Sequence, residues 1–257
     1  MGVDYTLIRT YDGGELYLTS FGLPFHKHLV PENWYEPDWF NTKRERLVGT
    51  SVIYKVPTKP VRGLTLHLVA RFSRVGEEIP LDPRTLNENP QAEFNGPFEE
   101  FALVMALRAR RSRNLHPYVW TKKPLAIYVP ARKFQDWELG RSESKLESKR
   151  LRQPEVPVDT SRQYILLYRW IKGLNAVQIT QALGMNPSSA EQFRTETTAR
   201  AVRDLEEHGF RMIDIKPEHV ILRLRRDGSL LKWPDGTFVY ALVDYELLEP
   251  IRDANRK

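Results

Sequence analysis

The chain has 257 residues, 41% of them hydrophobic, and carries 39 Lys+Arg against 33 Asp+Glu, a formal charge of +6 with a pI near 9.4. This is enough apolar material for one domain or two small lobes and excludes a largely disordered chain, while the excess of base suits anionic ligands such as nucleotides, nucleic acid or acidic lipid without choosing among them. The absence of cysteine excludes disulfides and thiolate metal sites, and no run approaches the roughly 18 apolar residues of a membrane span, so a soluble cytoplasmic protein with no membrane partner is expected.

Residues 1–45 hold two aromatic clusters, Phe21 to Phe25 and Trp34 to Phe40, interrupted by Gly22, Pro24, Pro31 and Pro37. The aromatics ask for a surface to pack on and the prolines forbid one long helix, which predicts an ordered extension of short elements. From Glu45 the pattern turns to strands, first Leu47 to Val56 as a hairpin and then Leu64 to Phe72, in which Arg71 is the only cation in mid-strand. After a Pro- and Asn-rich loop, Phe98 to Arg111 has amphipathic helical spacing, with Glu99 and Glu100 in its first turn. Those acids complement the helix dipole, and either could also reach back to Arg71, with Glu100 preferred because Leu103 and Val104 lie one turn on. The basic residues Arg108, Arg110, Arg111 and Arg113 read as a solvated face. Lys133 to Pro157 alternates acids and bases and predicts a long loop or a short exposed helix.

Gln163 to Tyr168 is an apolar strand running into Arg169-Trp170-Ile171-Lys172-Gly173, and Ala190 to His208 is helical, preceded by capping residues Asn186 to Ser189 and stopped by Gly209. Strand-like runs then follow at Val220 to Leu224, Leu230 to Trp233 and Thr237 to Val243, separated by the turn signals Asp227-Gly228 and Asp235-Gly236. The most informative stretch is Met212-Ile213-Asp214-Ile215-Lys216-Pro217-Glu218-His219-Val220-Ile221-Leu222, with Val243-Asp244-Tyr245-Glu246 beyond it. It places an acid, Asp214, after an apolar run, a lysine, Lys216, two residues on and a histidine, His219, five residues on, with a second acid, Asp244, beyond the later strands.

These residues resemble the protein-kinase-like superfamily, whose catalytic loop reads Asp-x-Lys-Pro-x-Asn, with an apolar strand and Asp-Phe-Gly beyond it. The resemblance extends in order over residues 46–248 and implies an α+β, two-lobed fold with a mainly antiparallel small-lobe sheet and a truncated helical large lobe. Residues 1–45 would be the extension, 46–172 the small lobe with inserted loops, and 173–257 a reduced large lobe. By the same resemblance Asp214 and Lys216 are catalytic, and His219 and Asp244 hold Mg2+ or Mn2+. Gly49, Thr50 and Ser51 cover the phosphates of ATP, Arg71 and Glu100 align them, the backbone of Arg169, Trp170 and Ile171 binds adenine, and Tyr168 guards the back of the pocket.

The sequence also departs from the family. Arg71 stands for lysine, Met212-Ile213 for His-Arg, His219 for asparagine and Tyr245-Glu246 for Phe-Gly, and only Gly49 remains of the glycine-rich loop. Arginine is not an equivalent phosphate ligand to lysine, and neutral imidazole is a poorer ligand for magnesium than an amide oxygen, which favours manganese. Thirteen residues follow Asp244, so the segment with which the family positions peptide substrates has no counterpart. The expected function is therefore an ATP-binding kinase-like domain passing the γ-phosphate to a hydroxyl of an unidentified protein or small molecule, or else a pseudokinase that binds partners without chemistry. A different class comes from Gln178 to Ser189, which resembles the first helix and turn of a helix-turn-helix module. Glu191, Glu196, Asp204, Glu206 and Glu207 on the following helix argue against nucleic acid as its partner.

Overall fold

The computed structural model describes residues 2–49, 51–111, 119–152 and 158–251. In chain order its elements are β1 (Thr6–Arg9), β2 (Glu15–Leu18), α1 (His26–Leu29), α2 (Pro37–Lys43), β3 (Glu45–Arg46), β4 (Ile53–Pro57), β5 (His67–Phe72), α3 (Pro83–Glu88), α4 (Pro97–Arg111), β6 (Trp120–Thr121), β7 (Pro124–Val129), α5 (Glu143–Arg152), β8 (Ile165–Arg169), β9 (Leu174–Asn175), α6 (Ala176–Ala182), α7 (Pro187–Glu207), β10 (Phe210–Met212), β11 (Val220–Leu222), β12 (Tyr240–Leu242) and β13 (Leu248–Pro250), joined in places by short 3-10 turns. The fold is α+β, with a large antiparallel sheet and several helices. The chain divides into two compact units: one comprises residues 1–82, 90–102 and 123–170, the other residues 83–89, 103–122 and 171–257.

The first unit is built on a seven-stranded sheet in the order β1-β2-β7-β8-β5-β4-β3, antiparallel throughout. Side chains alternate across a strand, so Leu16, Leu18, Leu68, Ala70, Ala126, Tyr128, Ile165 and Leu167 form one buried face, and Leu29, Trp34 and Phe40 pack into the same cluster. Trp34 is fully buried, meets Tyr128 edge-on at 5.8 Å and donates its indole N–H to the Leu29 carbonyl at 2.9 Å. Its truncation to alanine is expected to cost about 3–5 kcal/mol.

Residues 1–45 are therefore not a separate extension. Their short helices cover a sheet face, as the aromatics required, but β1 and β2 are themselves strands of that sheet. Asp12-Gly13-Gly14 turns the hairpin between them, with Gly13 at φ 77, and the carboxylate of Asp12 accepts from Thr10, the Gly14 N–H and the Tyr128 hydroxyl. At the following bend Gly22 has no room for a side chain, because a Cβ there would run into the Leu125 carbonyl. In the stretch from Lys133 the short helix, rather than the long loop, is found: Asp136–Leu139 is a 3-10 turn and α5 follows, mostly at the surface but with Leu146 buried.

In the second unit, β6-β12-β11-β9 form a four-stranded sheet in which β6 and β12 run parallel, and β10 pairs with β13. Helix α7 begins at Asn186, whose side chain accepts the Ser189 N–H at 2.9 Å, and it buries Ala190, Thr197, Ala201, Asp204 and Leu205 along one face. The Tyr240 hydroxyl donates to the buried Asp204 carboxylate at 2.6 Å, tying β12 to α7. Burial raises the Tyr240 pKa, and the neighbouring carboxylate raises it further. Between β11 and β12 the chain folds back twice, at the turn signals Asp227-Gly228 and Asp235-Gly236, with bridges Leu224 to Leu230 and Lys232 to Phe238.

Candidate functional site

The residues singled out by the sequence fall into two groups of side chains, one in each unit. In the first unit, β5 buries Arg71 at 5% exposure and β8 buries Tyr168 completely. Val69 pairs with Tyr168 and Arg71 with Leu166, so Arg71 and Tyr168 are diagonal neighbours on one sheet face. The start of α4 supplies the group that joins them. Gly96 is its cap residue: its N–H donates to Glu99 Oε2 at 2.9 Å and its carbonyl accepts the Glu100 N–H at 2.9 Å. Glu99 thus turns back on the helix end, where it also pairs with Lys149, while Glu100 lies about 100° further round, toward the sheet. One oxygen of the fully buried Glu100 is bonded to the Arg71 guanidinium and the other accepts the Tyr168 hydroxyl. The sequence paired Arg71 with Glu100, but the bond from Tyr168 was not foreseen.

In the second unit, Gly209, at φ 71, ends the α7 segment, and β10 leads to Asp214. Lys216 Nζ holds Asp214 Oδ2 at 2.7 Å, in a pair whose lysine is half exposed. Pro217–His219 forms a 3-10 turn into β11. Because Val220 pairs with Leu242, residue 219 falls opposite 243, and the Val243 N–H donates to the His219 carbonyl at 3.2 Å. Just beyond this end of the pair, His219 Nε2 lies 3.5 Å from Asp244 Oδ2, while His219 Nδ1 is buried without a hydrogen-bond partner. Asp244 is further oriented by the Glu246 N–H at 3.3 Å. Tyr245 turns inward, accepting the Lys122 N–H at 2.8 Å and donating to the Leu242 carbonyl, and burial raises its pKa.

Nε2 and Oδ2 are too far apart for a good hydrogen bond, yet two ligand atoms each about 2.1 Å from one small cation stand roughly 3.0–3.5 Å apart. No third histidine or acid joins them among the described residues. Such a pair suits a cation that completes its shell with phosphate oxygens and water, which is the usual habit of magnesium.

The remaining sequence assignments fare differently. Gly49 sits in the β3–β4 turn with open space around it, Ser51 is buried, and Thr50 lies outside the described residues. Arg169 is exposed at the end of β8, its N–H bonded to the Lys123 carbonyl at 3.0 Å, and the Trp170 N–H is bonded to the His67 carbonyl at 2.9 Å. Those two N–H groups are taken up by the sheet ladder. Ile171, the first residue of the second unit, is the remaining N–H donor of that stretch. Of the basic run at the end of α4, Arg108 donates to the Thr121 carbonyl and hydroxyl at 2.9 Å each, so it serves the fold, while Arg113 lies outside the described residues. In the segment likened to a helix-turn-helix, α6 and α7 flank Gly184 at φ 60. Of the acids of α7, Glu191 pairs with Arg194 at 2.6 Å, Glu196 accepts from Gln192 at 2.8 Å and Asp204 points inward. The sequence counted Asp204 among the acids that would face a polyanion, whereas its spacing from Thr197, Ala201 and Leu205 puts it on the buried stripe.

No protein-family profile matches this chain, and no curated protein matches it. Among solved structures it is similar to the crystal structure of the BubR1 kinase domain, with a TM-score of 0.44 and 8% sequence identity over 98% of this chain and 52% of that one. The chain thus spans about half the length of that structure, and a likeness of this size carries no argument about function. No helix among the described residues is long and apolar enough to cross a membrane.

Proposed function

We propose that this chain is a protein-kinase-like domain that binds ATP with a divalent cation and directs the γ-phosphate to a hydroxyl. The observation that carries the reading is the meeting of His219 and Asp244 at 3.5 Å, one motif residue from each side of the β11–β12 pair. Asp214 would accept the acceptor's proton and orient its oxygen, and Lys216, within reach of Asp214, would steady the transferred phosphate. His219 and Asp244 would hold the cation, which when bound neutralises phosphate charge, and the imidazole favours Mn2+ over Mg2+. Arg71, oriented by Glu100, would align the upstream phosphates.

Thermal shift with ATP and either metal tests the binding step. Saturation at about 100 times Kd is worth about 2.7 kcal/mol, which is readily seen as a rise in melting temperature. Asp244→Ala should remove the metal-dependent rise, whereas Asp214→Asn should keep it and abolish transfer of labelled phosphate. No rise with ATP and either metal sinks the proposal.

A second reading, a pseudokinase used for partner binding, is favoured by one feature: Arg71 is buried with Glu100 and Tyr168, and the N–H groups of Arg169 and Trp170 are already bonded within the sheet. Turnover that appears only after Arg71→Lys with His219→Asn identifies the pseudokinase.

A further inference from the structure

The sheet of the first unit ends on β3, a two-residue strand with no neighbour on its outer side among the described residues. Arg44 and Arg46 stand on either side of Glu45 in the extended chain leading into and along this edge, and rings hold both guanidinium groups in place. Arg44 lies 4.8 Å from the centroids of both Phe40 and Tyr54, and Arg46 lies 5.3 Å from Tyr54. Lys43 sits 5.8 Å over Trp39. Glu45 pairs with Lys55 at 2.7 Å and Glu36 with Lys59 at 3.7 Å. Lys43, Arg44 and Arg46 are exposed, and among the described residues no carboxylate pairs with them.

The backbone is arranged to match. Leu47 donates to the Ile53 carbonyl at 3.0 Å. Hydrogen-bonded and non-bonded positions alternate along an antiparallel ladder, so Arg46, opposite Tyr54, directs its own N–H and C=O away from β4. Val48, two residues on, is fully exposed. Charge on a short edge strand keeps a second, equally basic copy from pairing there. The same charges select an acidic strand, because opposite charges facing each other across a ladder attract.

We propose that β3 is a docking edge for an extended acidic segment of a partner protein, which adds as a further strand and sets carboxylates at alternate positions against Arg44 and Arg46. Residues two apart on a strand are separated by about 6.6 Å, the spacing of both the arginines and the acids they would meet. Holding the guanidinium groups on rings lowers the entropy lost on binding.

The test uses the full chain and a short fluorescein-labelled peptide of alternating glutamate and valine, followed by anisotropy at low and physiological salt. Binding should weaken as salt rises, and Arg44→Gln and Arg46→Gln should each weaken it roughly two- to fivefold, and together about tenfold. A peptide of the same composition with its glutamates in one block, and an alternating peptide N-methylated along one edge, should both bind distinctly less well. The second comparison needs no protein variant. Failure of the alternating peptide to bind overturns the proposal, as does equal binding of the block or N-methylated peptide. Tighter binding of oligo(dT), lost in the same arginine variants, also overturns it and makes the edge a nucleic-acid surface.

Discussion

Glu100 accepts bonds from two strands, so its removal probes the sheet and α4 together. The Glu100 carboxylate is fully buried and the Arg71 guanidinium is 5% exposed. Glu100→Leu leaves a buried cation facing an apolar side chain, and breaking a buried ion pair in this way costs about 3–5 kcal/mol. At roughly 2–4 °C per kcal/mol for a chain of this size, that is a fall of roughly 6–20 °C in melting temperature. Arg71→Met alone strands the carboxylate and should cost a similar amount. The double variant removes both charges and restores apolar packing, so it should lie within about 1 kcal/mol of the parent, because a hydrophobic replacement of a buried pair is often neutral or stabilising. Tyr168→Phe, which keeps the ion pair and deletes one hydrogen bond to a charged group, should cost about 1.5–3 kcal/mol. Urea denaturation followed by circular dichroism and tryptophan fluorescence gives the four corners of the cycle. A cost below about 1 kcal/mol for Glu100→Leu, or a double variant no better than the sum of the singles, refutes the reasoning.

Three further outcomes are expected. Asp204→Ala should cost about 2–3 kcal/mol in urea by depriving the buried Tyr240 hydroxyl of its acceptor, and Tyr240→Phe in the same chain should recover part of that loss. Although burial acts to raise the pKa of Asp12, the hydrogen bonds from Thr10, Tyr128 and the Gly14 N–H hold it below the usual 3.8. The stabilisation it gives is present above the unfolded carboxyl's pKa and lost as pH falls through the folded value, so the advantage of the parent over Asp12→Asn should be flat near neutrality and vanish in acid unfolding below pH 3.8. Gly22→Ala, which meets the Leu125 carbonyl at an ordinary φ of −83, should cost about 2–3 kcal/mol, and Gly236→Ala, in open space at φ 84, about 1–2 kcal/mol, both read as shifts of the urea midpoint.

Periodicity and turn chemistry made most of the elements readable: the amphipathic repeat of α4, the cap and stop of α7, and the strands after His219. The Asp12-Gly13 turn and the all-apolar run Pro124 to Val129 were also available as signals for β1, β2 and β7. They were outweighed by the prolines and aromatics of residues 1–45 and by the charged stretch after Val129, so the sheet was read with fewer strands than it has. What the sequence determined by itself was the set of candidate groups, since Asp214, Lys216, His219 and Asp244 are marked out by the resemblance of their identity and spacing to a kinase-like catalytic loop. Which of them meet was decided by tertiary structure. The pairing of Val220 with Leu242 brings the ends of β11 and β12 together, and outside the ladder the 3-10 turn at Pro217–His219 departs from the strand alternation that would set residue 219 on the face of Val243, so that His219 meets Asp244. The choice of Glu100 over Glu99 rested on where α4 starts. A cap at Gly96 turns Glu99 back to the helix end and sends Glu100 into the sheet, whereas a start one residue later would rotate the whole first turn by about 100° and exchange the two roles.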